Sequence, residues 1–370
     1  MHVLVTADTV GGVWTYAREL VTGLSRKGVQ VTLVSFGDIP TAPQIEWLDG
    51  LRDVDFHPTA FKLEWMQDAE EDIEASSEFL RRLIDEVRPD LLHLNQFCYG
   101  TLDVGIPKLV VAHSDVVSWW VNVKGVEPTP DRWMNSYREL VGRGLREATA
   151  VVAPTRWMMN CVETYYGRPT QASVIYNGRT PTLFNPYIAK EDSVISVGRL
   201  WDGGKQAALL TQLNTTIPIY IAGTEQHADE SFRIADSTLG ACHPNLFLKG
   251  PQTEGQLRQL FGRASIYAAT SRYEPFGLAP VEAALSRCAL ICNDIPTFHE
   301  LWGNAAVYFR RNDLGSLQAE IERLRNDREL RLTFANLAFN RARQRFTADR
   351  MVEDYIHHYE SLVAAGAAAA

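Results

Sequence analysis

Two series of short apolar runs, each alternating with helical stretches, constrain this 370-residue chain more than any other feature. Residues 3–7 (Val-Leu-Val-Thr-Ala) form an apolar, β-leaning run, followed by Gly11 and Gly12. Val13, Ala17, Leu20, Val21 and Leu24 then recur at helical spacing, Gly28 ends the helix, and residues 29–36 read as the next strand. This is a βαβ unit: parallel strands covered by helices on both faces read as nearly continuous apolar runs. Further strands are predicted at 51–56, 90–95, 108–113, 148–153 and 173–178, and Thr155 suits the N-cap of a helix running to Tyr166. A second βαβ series opens at residues 193–200 and continues at 217–223, 245–250, 264–270 and 288–292. The class is α/β, and the length suits two domains. Surface helices are predicted at 317–324 and 330–345, and a final helix at 351–363.

Composition removes several functions. A net charge of −9 argues against a nucleic-acid binder that works by neutralising phosphates. The five cysteines are odd in number and include no Cys-x-x-Cys pair, which points to a reduced compartment. No run of 18 apolar residues and no basic-then-apolar leader occurs, so the expectation is a soluble, cytoplasmic protein. Residues 64–88 read as mostly helical and acidic, a solvated face that leaves room for at most peripheral membrane contact. Asp53 and Asp55 would share one face of a strand; they are read as structural, and no metal site is expected.

The chemistry concentrates after the apolar run 264–270. The next stretch reads Ser271-Arg-Tyr-Glu-Pro-Phe-Gly-Leu-Ala-Pro-Val-Glu282 and leads into a helix predicted over 281–287. Pro275, Gly277 and Pro280 break regular structure between strand and helix. The amides near Gly277 and Leu278 then lie at a helix N-terminus, where unpaired donors and the dipole favour an anion such as a diphosphate. Glu274 and Glu282 bracket that turn. Two acids facing a phosphate would repel it, so they suit hydroxyl groups on either side, a sugar at one end and a ribose at the other. On these residues alone, a surface turn with solvated acids fits equally well.

The Gly11-Gly12 pair also places bare amides before a helix, or serves as a packing turn. It lacks the Gly-x-Gly-x-x-Gly pattern of a dinucleotide site. Gly204-Lys205 is not a P-loop, because Arg199 and Gln206 stand where Gly and Ser or Thr are required. Arg199 and Lys205 instead share one loop beyond a strand, where two cations can clamp a diphosphate; the bland alternative is solvated loop charge. His93, Asn95 and His113 fall near the C-terminal ends of two strands, the edge where open parallel sheets bind ligands. Trp119, Trp120, Trp133 and Tyr137 crowd the next region, as sugar-stacking faces or as core.

The Glu-x7-Glu spacing of Glu274 and Glu282 resembles the donor site of retaining glycosyltransferases, most closely family 4 of the GT-B fold. The resemblance implies two Rossmann-like, doubly wound domains facing each other across a cleft. It implies that Glu274 contacts the donor sugar, that Glu282 holds the ribose hydroxyls, and that Phe276, Gly277 and Leu278 meet the sugar and diphosphate. Arg199 and Lys205 match the family's cations, which often stand one residue closer together. Gly11 and Gly12 would face the diphosphate, His113 would sit by the sugar and acceptor, and His93 and Asn95 become candidates for lining the acceptor site. Residues 247–251 would lie near the nucleobase. Residues 173–178, ending in Asn-Gly, resemble the family's hinge, giving domains at 1–178 and 179–348 and a returning helix at 349–364. Arg287 and Ala289 stand where the family usually has Gly and Pro.

The implied activity is metal-independent, retaining transfer of a hexose from a UDP- or GDP-linked sugar to a small-molecule, saccharide or lipid-linked acceptor. No cofactor is implied beyond that co-substrate. A sugar-nucleotide epimerase and a non-catalytic nucleotide-sugar-binding scaffold are the alternatives.

Overall fold

The computed structural model of the protein describes residues 1–9, 11–224 and 244–369. Among these residues, thirteen strands form two all-parallel sheets in two compact units. The first unit comprises 1–121, 126–178 and 348–370, and the second 122–125 and 179–347.

In the first unit the strands are β1 (His2–Asp8), β2 (Gln30–Phe36), β3 (Val54–Pro58), β4 (Leu91–Leu94), β5 (Lys108–Val111), β6 (Ala150–Ala153) and β7 (Ala172–Val174). Their order is β3-β2-β1-β4-β5-β6-β7, so the winding reverses between β1 and β4. The period-two alternation of a strand splits the apolar runs between two cores. Leu4, Leu92, Leu94, Val110 and Val151 enter one, and Val3, Val5, Leu91, Leu109, Val111 and Val152 the other. The second core is closed by helix Gly12–Arg26, which buries Ala17, Leu20, Val21 and Leu24, and by the last helix, Ala348–Ala369. That helix is longer than 351–363 because the alanine-rich tail is strong helix former.

The second unit has β8 (Glu191–Val197), β9 (Ile219–Ala222), β10 (Leu246–Gly250), β11 (Ala264–Ala269), β12 (Ala289–Asn293) and β13 (Val307–Phe309), ordered β10-β9-β8-β11-β12-β13. Its winding reverses between β8 and β11. The ends of β8 and β9 approach so closely that a Cβ on Gly223 would lie 1.7 Å from the Gly198 carbonyl oxygen. Each sheet therefore opens a crevice at the C-terminal ends of the strands flanking its reversal, where doubly wound sheets receive ligands.

Some local expectations need correction, and others, at Tyr137 and Thr155, agree with the structure. β3 lies at Val54–Pro58, not 51–56; Pro58 is tolerated because this is an edge strand. Helix Glu70–Val87 starts later than residue 64, and Glu64 is buried rather than solvated. Its carboxylate accepts from the amides of Phe97 (2.9 Å) and Cys98 (2.5 Å) at the start of a short 3₁₀ turn. The helix predicted at 281–287 is Leu278–Leu285. Pro280 sits in its first turn, where no amide hydrogen is needed. Tyr137 is core and stacks on Trp133 within helix Arg132–Glu147. Thr155 caps helix Arg156–Tyr166, accepting from Met158 N at 3.1 Å. Among the described residues no helix is long and apolar enough to cross a membrane.

Candidate functional site

In the second unit, the loops leaving β8 and β11 are stitched together. Asp202 organises the first: Oδ1 accepts from Gly204 N (2.8 Å) and Oδ2 from the Arg199 guanidinium (2.9 Å), while Lys205 N donates to its carbonyl (2.9 Å). The second loop then locks on: Arg272 N donates to Gly204 O (2.8 Å), and Thr270 Oγ1 to Lys205 O (2.8 Å). Asn293, fully buried at the end of β12, donates to Ser271 O at 3.2 Å from behind.

This scaffold brings Lys205 Nζ to 2.6 Å from Glu274 Oε2, which also accepts from Ser271 Oγ at 2.9 Å. Both side chains of the ion pair are mostly buried, 23% and 11% exposed, so their charges are screened far less than those of a surface pair. Immediately beyond, Gly277 is the N-cap of helix Leu278–Leu285 at φ 88°, a conformation that strains any residue with a Cβ. A Cβ there would also meet Glu274 Cγ at 3.0 Å. The first amides of that helix and the Lys205 ammonium supply positive potential to one loop cluster.

The structure thus joins Lys205 to Glu274, with Phe276, Gly277 and Leu278 in the same turn. Arg199 stands in the same loop as Lys205, where its guanidinium pairs with Asp202 and lies 5.0 Å over the Trp201 ring. Glu282 pairs with Arg179, at 2.8 Å from Nε. Arg179, Asp202 and Ser271 received no role from sequence. Only Arg179 left a signal there, as a lone charge directly after an Asn-Gly turn.

In the first unit, Gly11 takes φ 91° as the exposed N-cap of helix Gly12–Arg26, and Val10 lies outside the described residues. Beyond β4, the Asn95 amide nitrogen donates to Thr6 O at 2.5 Å, which fixes the amide's orientation. Its oxygen then faces His113 Nε2 at 2.7 Å, so Nε2 carries the proton and Nδ1 is an acceptor. Burial lowers the His113 pKa to about 3, leaving a neutral imidazole.

His93 does not line any cleft, contrary to expectation. It is fully buried between Tyr16 OH (3.1 Å) and Tyr359 OH (2.7 Å), and burial together with the neighbouring His113 lowers it to about 3. A neutral ring can accept from one tyrosine and donate to the other, which satisfies all three groups. The pair Asp55 and His57, at 2.7 Å, is exposed on the edge strand. Among the described residues no group of three or more His, Cys, Asp or Glu side chains could hold a metal.

Known proteins place these features in a family. The model described as Glycosyltransferase Family 4 matches residues 10–182, and the one described as Glycosyl transferases group 1 matches 203–341. The O-antigen chain mannosyltransferase RfbU of Salmonella typhimurium is 27% identical over 172 residues, which span 44% of this chain and 46% of that protein. The chain therefore aligns with about half the length of that curated relative. Among solved structures, sucrose-phosphate synthase from Thermosynechococcus elongatus superposes with a TM-score of 0.79 at 16% identity, covering 99% of this chain and 100% of that one. HepE from Anabaena, in complex with UDP and glucose, gives 0.72 at 16% identity over 98% and 100%. The architecture is that of GT-B, and the chain belongs to the glycosyltransferases of family 4 and group 1.

Proposed function

We propose that this protein is a retaining glycosyltransferase that moves a hexose from a nucleoside diphosphate sugar, UDP- or GDP-linked, to a saccharide or other hydroxyl-bearing acceptor. The observation that carries the reading is the Lys205–Glu274 pair beside the Gly277–Leu278 helix start, at the crevice of the second sheet. The match to a mannosyltransferase and the HepE complexes with UDP, glucose and UDP-glucose support the substrate class.

In the proposed reaction the bond between the anomeric carbon and the β-phosphate oxygen breaks. The acceptor oxygen bonds to that carbon on the same face, and its proton passes to the departing phosphate oxygen. Charge grows on the leaving diphosphate, where Lys205, Arg199 and the helix-start amides stabilise it. That positive potential comes from protein groups, so the proposed step uses no metal ion. Glu274 accepts from sugar hydroxyls and Glu282 from the ribose. His113, neutral at physiological pH, offers Nδ1 to a hydroxyl near the reacting carbon. Gly11 and Gly12 contribute amides toward the diphosphate.

Calorimetric titration with UDP, GDP and ADP, beside Lys205→Ala, tests the reading and names the base. We expect one nucleotide to bind, and the variant to lose at least about tenfold in affinity. A folded wild type that binds none of the three would overturn the donor site.

A further inference from the structure

We propose that Arg179 is a positioning residue that orients Glu282, and through it the ribose end of the donor; this rests on the function proposed above. The side chain of Arg179 is 1% exposed and stands between two carboxylates, Glu282 on helix Leu278–Leu285 and Glu254 at the start of helix Glu254–Arg263. Nε lies 2.8 Å from Glu282 Oε1, Nη2 reaches Glu254 Oε1, and the guanidinium lies 5.4 Å over the Phe184 ring. A planar guanidinium held between two carboxylates and an aromatic ring has little freedom to turn away from Glu282.

The backbone of the same residue is fixed independently. Arg179 opens the main segment of the second unit and Thr347 ends it, and the two form a parallel bridge in which Arg179 N donates to Phe346 O at 2.9 Å. The Phe346 ring packs edge-on against Phe276 at 5.6 Å. The stretch carrying both glutamates is therefore held twice by these paired segments, at Phe276 through an aromatic contact and at Glu282 through the guanidinium. Burying a guanidinium strips it of its hydration before its partners compensate, and an apolar side chain would fill the same space without that cost. What an apolar side chain would not do is fix the rotamer of a carboxylate 12% exposed at the donor crevice.

The test is a double-mutant cycle on nucleotide binding. Of UDP, GDP and ADP, the one that wild type binds most tightly is titrated into Arg179→Lys, Glu282→Gln and the double variant, each checked for folding by circular dichroism. Arg179→Lys keeps the charge and removes the fork. We expect each single variant to weaken binding about tenfold, and the double variant to be no more than about threefold weaker than either single. A buried arginine serving only structure would give multiplied losses, about a hundredfold, and that result overturns the proposal, as does unchanged binding in Arg179→Lys. Arg179→Gln, which retains a donor, replaces Arg179→Lys if the latter fails to fold; failure of both makes Arg179 a folding residue and also overturns the proposal. The failure of the underlying reading looks different. There, wild type binds none of the nucleotides, or Glu282→Gln binds as wild type does.

Discussion

The two sheets of this protein wind the same way, yet the crevices at their reversal points carry opposite chemistry. In the first unit two side chains near the sheet's C-terminal edge, Asn95 beyond β4 and His113 beyond β5, are polar and neutral: the Asn95 amide is locked by Thr6, and His113 is held unprotonated by burial. In the second unit the groups beyond β8 and β11 are charged: Lys205 faces Glu274, and Arg199 faces Asp202. A neutral, pre-aimed acceptor suits hydroxyl groups, whose hydrogen bonds change little as a reaction proceeds. Fixed charge suits a group whose charge grows, and a leaving diphosphate is such a group. The same winding thus supports either role, and the loop residues decide between them.

The sharpest way to break this contrast is to neutralise one group in each crevice. Glu274→Gln keeps the shape of the side chain but leaves Lys205 without its counter-charge and, in the reaction proposed above, weakens the grip on the sugar. We expect sugar-nucleotide turnover to fall about a hundredfold. His113→Gln keeps a hydrogen-bonding side chain in a neutral crevice and should cost about tenfold. Release of the nucleoside diphosphate, followed with and without a saccharide acceptor, measures both. A larger loss at His113 than at Glu274 would mean that the first unit, not the second, carries the reaction's electrostatics.

The contrast was half legible in the sequence, for physical reasons. Glu274, Gly277 and Leu278 sit in one contiguous stretch and Lys205 in another loop, so turn chemistry made each a candidate, and the family resemblance chose between that reading and a plain surface turn. Strands were legible because parallel strands buried on both faces leave long apolar runs, as at Val3 and Ile266. What could not be read was partnership across the chain. Nothing local distinguishes Arg199, which faces its neighbour Asp202, from Lys205, which reaches 69 residues onward to Glu274. His93 looked like His113 because both end apolar strands. Tyr359, 266 residues away, is what removes His93 from solvent. Glu64 read as surface because its partners, the amides of Phe97 and Cys98, leave no trace in composition.

A second test sharpens the neutral half of the comparison. His93 and His113 both titrate near 3 in the folded chain, below the ordinary value of about 6.5. The unfolded chain therefore binds protons first as the pH falls. The stability that comes from keeping each ring neutral is complete above pH 6.5 and is lost between 6.5 and 3, at up to ~1.4 kcal/mol per pH unit per histidine. Glu64 and Asp115, whose carboxyls burial pushes up, act in the opposite sense, because the folded chain holds their protons more readily. Comparing wild type with His93→Gln cancels those carboxyls. In urea unfolding, the destabilisation caused by His93→Gln should be about 1–2 kcal/mol smaller at pH 5 than at pH 7. An equal difference at both pH values would mean that His93 is not held neutral.

The smallest effect separates the units at the far ends of their crevice helices. Both helices close with the same pattern of turns. Val29 N donates to Leu24 O at 3.0 Å after helix Gly12–Arg26, and Cys288 N to Ala283 O at 2.9 Å after helix Leu278–Leu285. Each needs a left-handed residue one position earlier. The first unit uses Gly28 at φ 76°, and the second uses Arg287 at φ 61°. Gly28→Ala meets nothing within 4 Å and should cost about 1 kcal/mol, the penalty of the conformation alone. Arg287→Gly removes that same penalty. It also gives up the guanidinium's place 4.7 Å over Phe339, worth about 0.5–1 kcal/mol, and adds glycine's freedom to the unfolded chain. These terms nearly cancel, so thermal unfolding of Arg287→Gly should match wild type within about 0.5 kcal/mol. A loss of about 2 kcal/mol or more would show that the arginine's packing on Phe339, rather than its backbone angle, decides how this helix ends.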